Sequence, residues 1–412
     1  MRLLVITHTF PPSRHSNAKR PHYLVKGFLD AGWHVEVFTN PLGMDDGAAE
    51  SVTHSALRIF RLPDPVDRWL RKCRGNPALF RMAVFATTGL MWPDPYVWWM
   101  RRVLREVRRQ PAYDRALAFV LPASVLLSGR AEGMADRSWT FDYQESVTPQ
   151  QRRVLRRSPL QRALFPRTVA LERTTLHKAG RVVFTANTNR QTYIREGLVP
   201  EPATAHVPYF FDAPAFASAE TVRPDFEIVY FGMFDWRGAR SPETFLRSLA
   251  QFLQHTPEAR PHIRFRFHGT WLADHNRFIE ELNLRDVVSI QPAVGYEQYL
   301  QQLKQSPILL LVVASAHNLF MPSKIVDYFG ARRPILAFVP RESEMRQVLE
   351  QAGMAEFTRD EFDVTGGAAA LQELWKRYRA DALTCNTEKI RFWSSETQIP
   401  RYVELVSRCQ GG

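Results

Sequence analysis

The residues best placed to do chemistry lie in Met321–Phe338, MPSKIVDYFGARRPILAF. An apolar run, Pro307–Ala314, precedes this segment and reads as a buried strand, and a second, Pro334–Val339, closes it. Between them Pro322 and Ser323 open a helix, since proline fits the first helical turn and serine fits the cap. The strand–turn–helix–strand order sets that helix N-terminus at the carboxyl edge of a parallel sheet, where α/β proteins take their ligands. Its N–H groups, those of Ser323 and Lys324 among them, point outward and attract an anion. The Lys324 side chain adds a mobile positive charge, and Asp327, one turn on, offers a carboxylate to sugar hydroxyls. An anion site and a hydroxyl acceptor on one turn suit a nucleoside diphosphate.

Further candidates gather around this helix. Arg237 and Arg240 follow the strand Glu227–Phe231 and its glycine, Gly232. Arginine clamps phosphate through paired hydrogen bonds, so both are expected on the diphosphate, with a plain surface charge as the competing role. The loops Gly269–Trp271 and Pro292–Gly295 are candidates for the nucleotide base, the second through backbone atoms of Ala293 and Val294, while Trp271 fits equally as core. In the N-terminal half, Asp142 and Glu145 end a strand, and one of them is placed to accept the proton of an acceptor hydroxyl. Tying Arg20 or capping a helix is the competing role. His8, at the end of the first strand, is a third catalytic candidate. Arg14 and His15 stand in the loop after it, where they would meet an anionic acceptor.

These side chains need a frame of alternating strands and helices. Strand patterns fall at Leu3–Thr7, His34–Thr39, Arg58–Leu62, Ala116–Val120, Ser138–Tyr143, Arg181–Thr185 and Ala205–Tyr209. After a stretch rich in proline and alanine, Asp212–Pro224, the pattern restarts at Glu227–Phe231, Ile263–His268, Val287–Gln291, Ile308–Ala314, Ile335–Val339 and Ala355–Thr358. Helical patterns alternate with them, which predicts two doubly wound α/β domains with parallel sheets, 1–212 and 225–387. The 412 residues are too many for one ordinary core and suit two.

In order along the chain, these segments resemble the retaining GT-B glycosyltransferases of the family 4 type. Their donor-domain signature runs small-Pro-x-Lys-hydrophobic-x-Glu-Tyr, a short spacer, then proline and an apolar strand. LLVITHTFPPSRHSNAKRPHYLVKGFLDAGWHVEVFT is similar to their first strand, Pro-Pro loop, helix with an early arginine (Arg20) and second strand. WPDPYVWW and SWTFDYQES resemble a Pro-Asp…Trp element and a strand-borne Asp-Phe-Arg-Asp of one bacterial subgroup. LERTTLHKAGRVVFTANTNRQTYI and FGMFDWRGARSPETFL look like the Glu-bearing helix with its next strand and the opening of the donor domain.

The resemblance implies two Rossmann-like domains, an N-terminal one for the acceptor and a C-terminal one for the nucleotide sugar, with the last stretch, 388–412, packing back across both. It implies transfer of a sugar from UDP- or GDP-sugar to a saccharide acceptor, lipid-linked, in polysaccharide or glycolipid assembly, with the nucleotide sugar as donor substrate and no cofactor or metal. Three departures stand out. Asp327 is all that remains of a paired-glutamate motif, His317, Asn318 and Leu319 occupying the place of its first member. Ser13, Arg14, His15 and Ser16 replace a glycine pair, and Met233 replaces an arginine. The altered Pro-Pro loop and the missing glutamate motivate one rival reading, a non-catalytic GT-B scaffold in a glycan assembly complex, and a nucleotide-sugar epimerase is a second rival as another enzyme of the same fold.

Bulk properties narrow the setting. With 45% hydrophobic and 23% charged residues the chain is globular. Cys73, Cys385 and Cys409 show no metal or disulfide spacing, which points to a reducing cytoplasm. The start reads as a strand and a Pro-Pro loop rather than a signal peptide, and no apolar run approaches the ~18 residues a spanning helix needs. The net charge of +12 is carried largely by arginine. Basic residues cluster with aromatics in Arg68–Arg74, Trp98–Arg109 and Arg152–Arg167, a composition that favours an anionic membrane surface. No nucleic-acid-binding motif accompanies the charge. The absence of Asp-x-Asp disfavours a metal-dependent GT-A site, and P-loop, Rossmann dinucleotide and Gly-x-Ser-x-Gly motifs are also absent.

Overall fold

The structure, a computed structural model, describes residues 1–13, 15–41, 53–73, 75–130, 134–149, 159–218, 220–234, 240–315 and 321–408. Arg14, Arg237, residues 317–319 and 152–158 of the basic stretch 152–167 lie outside the described residues. The chain divides into two compact units, 1–208 with 398–412, and 209–397.

The first unit holds β1 (Arg2–Ile6), α1 (Lys19–Asp30), β2 (His34–Thr39), β3 (Leu57–Arg61), α2 (Pro65–Cys73), α3 (Pro77–Leu90), α4 (Val97–Val107), β4 (Arg115–Val120), β5 (Trp139–Tyr143), α5 (Pro159–Lys178), β6 (Arg181–Phe184), α6 (Asn187–Arg195) and β7 (Thr204–His206). All its strand pairs are parallel, in the order β3-β2-β1-β4-β5-β6-β7. Strands covered on both faces must be apolar throughout, and β1 obliges with Leu3, Leu4, Val5 and Ile6, all fully buried. The second unit holds β8 (Phe226–Met233), α7 (Glu243–His255), β9 (Ile263–Thr270), α8 (Asn276–Glu281), β10 (Val288–Gln291), α9 (Tyr296–Gln305), β11 (Ile308–Val312), α10 (Lys324–Ala331), β12 (Ile335–Phe338), α11 (Glu344–Gln351), β13 (Thr358–Arg359) and α12 (Val364–Arg379). Its sheet is also parallel, in the order β10-β9-β8-β11-β12-β13. In each sheet the strand order reverses direction, between β1 and β4 and between β8 and β11, and doubly wound sheets bind ligands at that point.

The last helix, α13 (Ser395–Ser407), begins in the second unit and continues in the first. The stretch 388–412 is shared between the units. Residues 388–397 belong to the second, where the Trp393 ring packs 5.6 Å from Phe329 and Phe211 N–H donates to the Trp393 carbonyl at 2.9 Å. From Gln398 onward α13 rests on α1. Gly27 allows that approach, because a Cβ there would collide with Ile399.

Candidate functional site

In the second unit the site is built around the carboxyl end of β8. There the chain turns at Gly232, with φ +142°, and in register beside it β9 turns at Gly269, with φ +141°. Side chains are strained in that conformation, and a Cβ on Gly269 would fall onto the Gly232 carbonyl oxygen. Two adjacent strand ends are thus held bare of side chains at the switch point.

Lys324, the first residue of α10, reaches back over this edge. Its Nζ donates to the Phe231 carbonyl at 3.2 Å and lies 3.7 Å from the centroid of the Tyr230 ring. That ring is itself fixed by stacking on Phe234 at 4.3 Å. Burial, and then the neighbouring Arg240, hold the Lys324 ammonium well below the usual lysine range. Arg240 has its Nε buried with no hydrogen-bond partner among the described residues. The two cationic side chains come together beside the first turn of α10, and an anion arriving there would offset the desolvation of Lys324 and give the Arg240 Nε a partner. Ser323 occupies the cap position in helical conformation and its side chain makes no capping hydrogen bond, which corrects the expected serine cap.

Asp327, one turn along α10, is buried rather than on a solvated face. Its Oδ2 accepts a hydrogen bond from the Tyr299 hydroxyl on α9 at 3.0 Å. Burial, and then the Asp327 carboxylate, push the Tyr299 phenol well above its usual range, so it stays a donor. Tyr299 and Tyr230 were not singled out from sequence. Their periodicity reads as helix and strand core, and only the fold brings them to Asp327 and Lys324. Ala293 is exposed and Val294 half-buried, both in the loop that follows β10. Trp271 donates through Nε1 to Asn276 at 2.9 Å and packs on Phe267, a core position.

In the first unit the switch-point edge carries His8. Its ring is buried 4.4 Å from that of Tyr96 and 5.0 Å from that of Trp99, and Nε2 lies 3.4 Å from Asn40 Nδ2. Burial, with a smaller push from His15, lowers its pKa to about 4. The imidazole is therefore neutral near pH 7 and a weak base. His15 is exposed, and its Nδ1 accepts from Asn17 N–H at 3.3 Å.

Asp142 is fully buried. Arg20 Nε donates to Oδ1 at 3.0 Å and Arg20 Nη2 to Oδ2 at 2.9 Å, while the Tyr402 hydroxyl of α13 donates to Oδ2 at 2.9 Å. Arg20 also donates to the carbonyls of Val207 and Pro208. These contacts make Asp142 an anchor joining β5, α1, the segment just past β7 and α13, through the tie to Arg20 that stood as the competing role to a proton acceptor. Glu145 is half-buried just past β5. Among the described residues no three His, Cys, Asp or Glu side chains converge as metal ligands would.

Solved structures share this architecture over the whole chain. A sucrose-phosphate synthase from Thermosynechococcus elongatus superposes with a TM-score of 0.64 at 16% identity, covering 99% of this chain and 98% of its own. HepE from Anabaena, solved in complex with UDP, gives 0.63 at 13% identity, covering 99% and 100%. The fold is GT-B. WaaG, described as a glycosyltransferase involved in lipopolysaccharide biosynthesis, shares the GT-B frame at a TM-score of 0.63 and 11% identity, covering 98% and 100%. No family model matches the chain, and no curated protein matches it in sequence.

Proposed function

We propose that this chain is a glycosyltransferase that moves a sugar from a nucleoside-diphosphate sugar, UDP or GDP, to a saccharide acceptor carried on a lipid, with retention of anomeric configuration. The observation that supports it most directly is the buried Lys324 side chain at the α10 N-terminus with Arg240, its Nε unpartnered among the described residues, beside it. Negative charge grows on the leaving diphosphate as the bond to the anomeric carbon breaks, and donors already fixed where that charge develops stabilise the transition state. GT-B neighbours solved with UDP and with UDP-2-fluoro glucose support the same reading. Lys324, the first-turn N–H groups and Arg240 hold the diphosphate in this reading, and Asp327, set by Tyr299, takes sugar or ribose hydroxyls. The acceptor oxygen forms its bond to the anomeric carbon on the face the diphosphate leaves, and its proton passes to the departing phosphate oxygen. Such a step calls for no protein base, which agrees with Asp142 being engaged and His8 being a weak base.

The test is a thermal-shift panel of UDP, GDP, ADP, TDP and CMP. A ligand at ~100 times its Kd adds ~2.7 kcal/mol to a fold that alone binds it. One diphosphate should raise the melting temperature, and Lys324→Ala should abolish that shift and cut turnover by about a hundredfold or more. No shift with any nucleotide would favour the scaffold reading, which the missing first glutamate and the altered Pro-Pro loop motivate.

A further inference from the structure

Helix α3 presents an apolar face outward. Ala83 and Thr87, four residues apart, are buried on its inner side, while Leu79, Met82 and Phe85, spaced by three, are 47%, 68% and 76% exposed. This arrangement inverts ordinary helix amphipathicity, in which the large apolar side chains turn inward. Trp69 on α2 and Trp98 on α4 are also exposed, at 44% and 47%. Of the eleven large hydrophobic side chains exposed among the described residues, five therefore fall between 69 and 98. Helix α2 packs against both α3 and α4, so the helices that bear these side chains are neighbours, and grouped apolar exposure marks a contact surface where single scattered residues would not.

Charge names the partner. Residues 65–109 hold ten lysines and arginines against three acids. Of the acids, Asp94 is turned inward onto the Ser124 and Tyr96 N–H groups and Glu106 pairs with Arg109. Lys72, Arg81, Arg101, Arg105 and Arg108 are exposed, with the Arg101 guanidinium 4.6 Å over the Trp98 ring. A second copy of the chain would bring the same positive charge against this face and be repelled. An anionic bilayer offers phosphates to the arginines, an apolar layer to Leu79, Met82 and Phe85, and an interface that suits tryptophan.

We propose that α3 lies in the interface of an anionic membrane, with Leu79, Met82 and Phe85 inserted to the headgroup–acyl boundary and the basic residues of α2 and α4 on the phosphates. This goes beyond the transferase reading and does not depend on it, since membrane contact needs neither donor nor acceptor.

Vesicle flotation tests it on the full chain without nucleotide, comparing phosphatidylglycerol-containing vesicles with pure phosphatidylcholine, and size-exclusion light scattering on the same samples gives the oligomeric state. The chain should float with the anionic vesicles and not the neutral ones. Met82→Ser with Phe85→Ser should lower that partitioning at least tenfold at an unchanged melting temperature, since both side chains are exposed. Arg101→Ala with Arg105→Ala should weaken it and flatten its salt dependence, since fewer charge contacts remain to be screened. Absence of the wild-type chain from anionic vesicles would overturn the proposal, as would full partitioning of the serine variant. So would a wild-type dimer that the serine variant dissociates, because the face would then belong to a second copy.

Discussion

At the scale of single residues, burial decides roles that residue type leaves open. Asp142, near the carboxyl end of β5, and Asp327, in the first turn of α10, are both buried carboxylates, yet Asp142 is held by Arg20 and Tyr402, while Asp327 is set by a tyrosine hydroxyl on the neighbouring helix. Removing one member of a buried ion pair leaves the other uncompensated, at about 3–5 kcal/mol. Asp142→Asn should therefore lower stability to urea by that order, and a variant that unfolds normally yet loses turnover would return Asp142 to the catalytic set. His8 gives a pH signature. Its folded pKa of about 4 lies below the ordinary 6.5. The unfolded chain then binds the extra proton first as pH falls. The stability conferred by neutral His8 is complete above pH ~6.5 and is lost as pH drops toward 4, by up to about 3 kcal/mol. His8→Asn should flatten that limb of the stability–pH curve, measured by urea denaturation at intervals between pH 4 and 7. An unchanged slope would mean that His8 is not the group responsible.

At the scale of elements, the strand–helix alternation was legible because parallel strands buried on both faces leave continuous apolar runs such as LLVI in β1 and ILLLV in β11. Strand ends differed from expectation by up to three residues, as at β7 and β13, because hydrogen-bonded pairing and apolar runs need not stop together. Lys324 was legible for a local reason, since proline, cap position and lysine are neighbours in sequence. Tyr230 and Tyr299 were not, because their contacts join β8 and α9 to α10 across roughly 30 to 90 residues. Likewise, the outward apolar face of α3 cannot be told from a core face by periodicity, which gives spacing without direction. Gly269 shows the same limit. Sequence places it in a loop, whereas in register it lies against Gly232 with φ +141°. Gly269→Ala must move a backbone carbonyl as well as strain its own backbone, so a loss on the order of 2–4 kcal/mol is expected by urea unfolding, together with weaker nucleotide binding. Tolerance of alanine at wild-type stability would show that the two strand ends separate freely.

At the scale of the whole molecule, each unit has its own sheet, core and switch point, and the cations assigned to the diphosphate all lie in the second. Nucleotide binding should then protect one unit selectively. Hydrogen exchange followed by mass spectrometry reads this directly, since short labelling times report local opening and long times report global unfolding. At short times the stabilising diphosphate should slow exchange in 228–234, 267–271 and 322–328, and leave 3–8 and 139–145 of the first unit unchanged. At long times both units slow together only if the chain unfolds as one, because ligand binding energy is shared across whatever unfolds cooperatively. Early protection confined to the edge at His8 would instead move the nucleotide to the first unit. It would sink the assignment of Lys324 and Arg240 while leaving the GT-B frame intact, because the fold rests on sheet order and the site on these two cations.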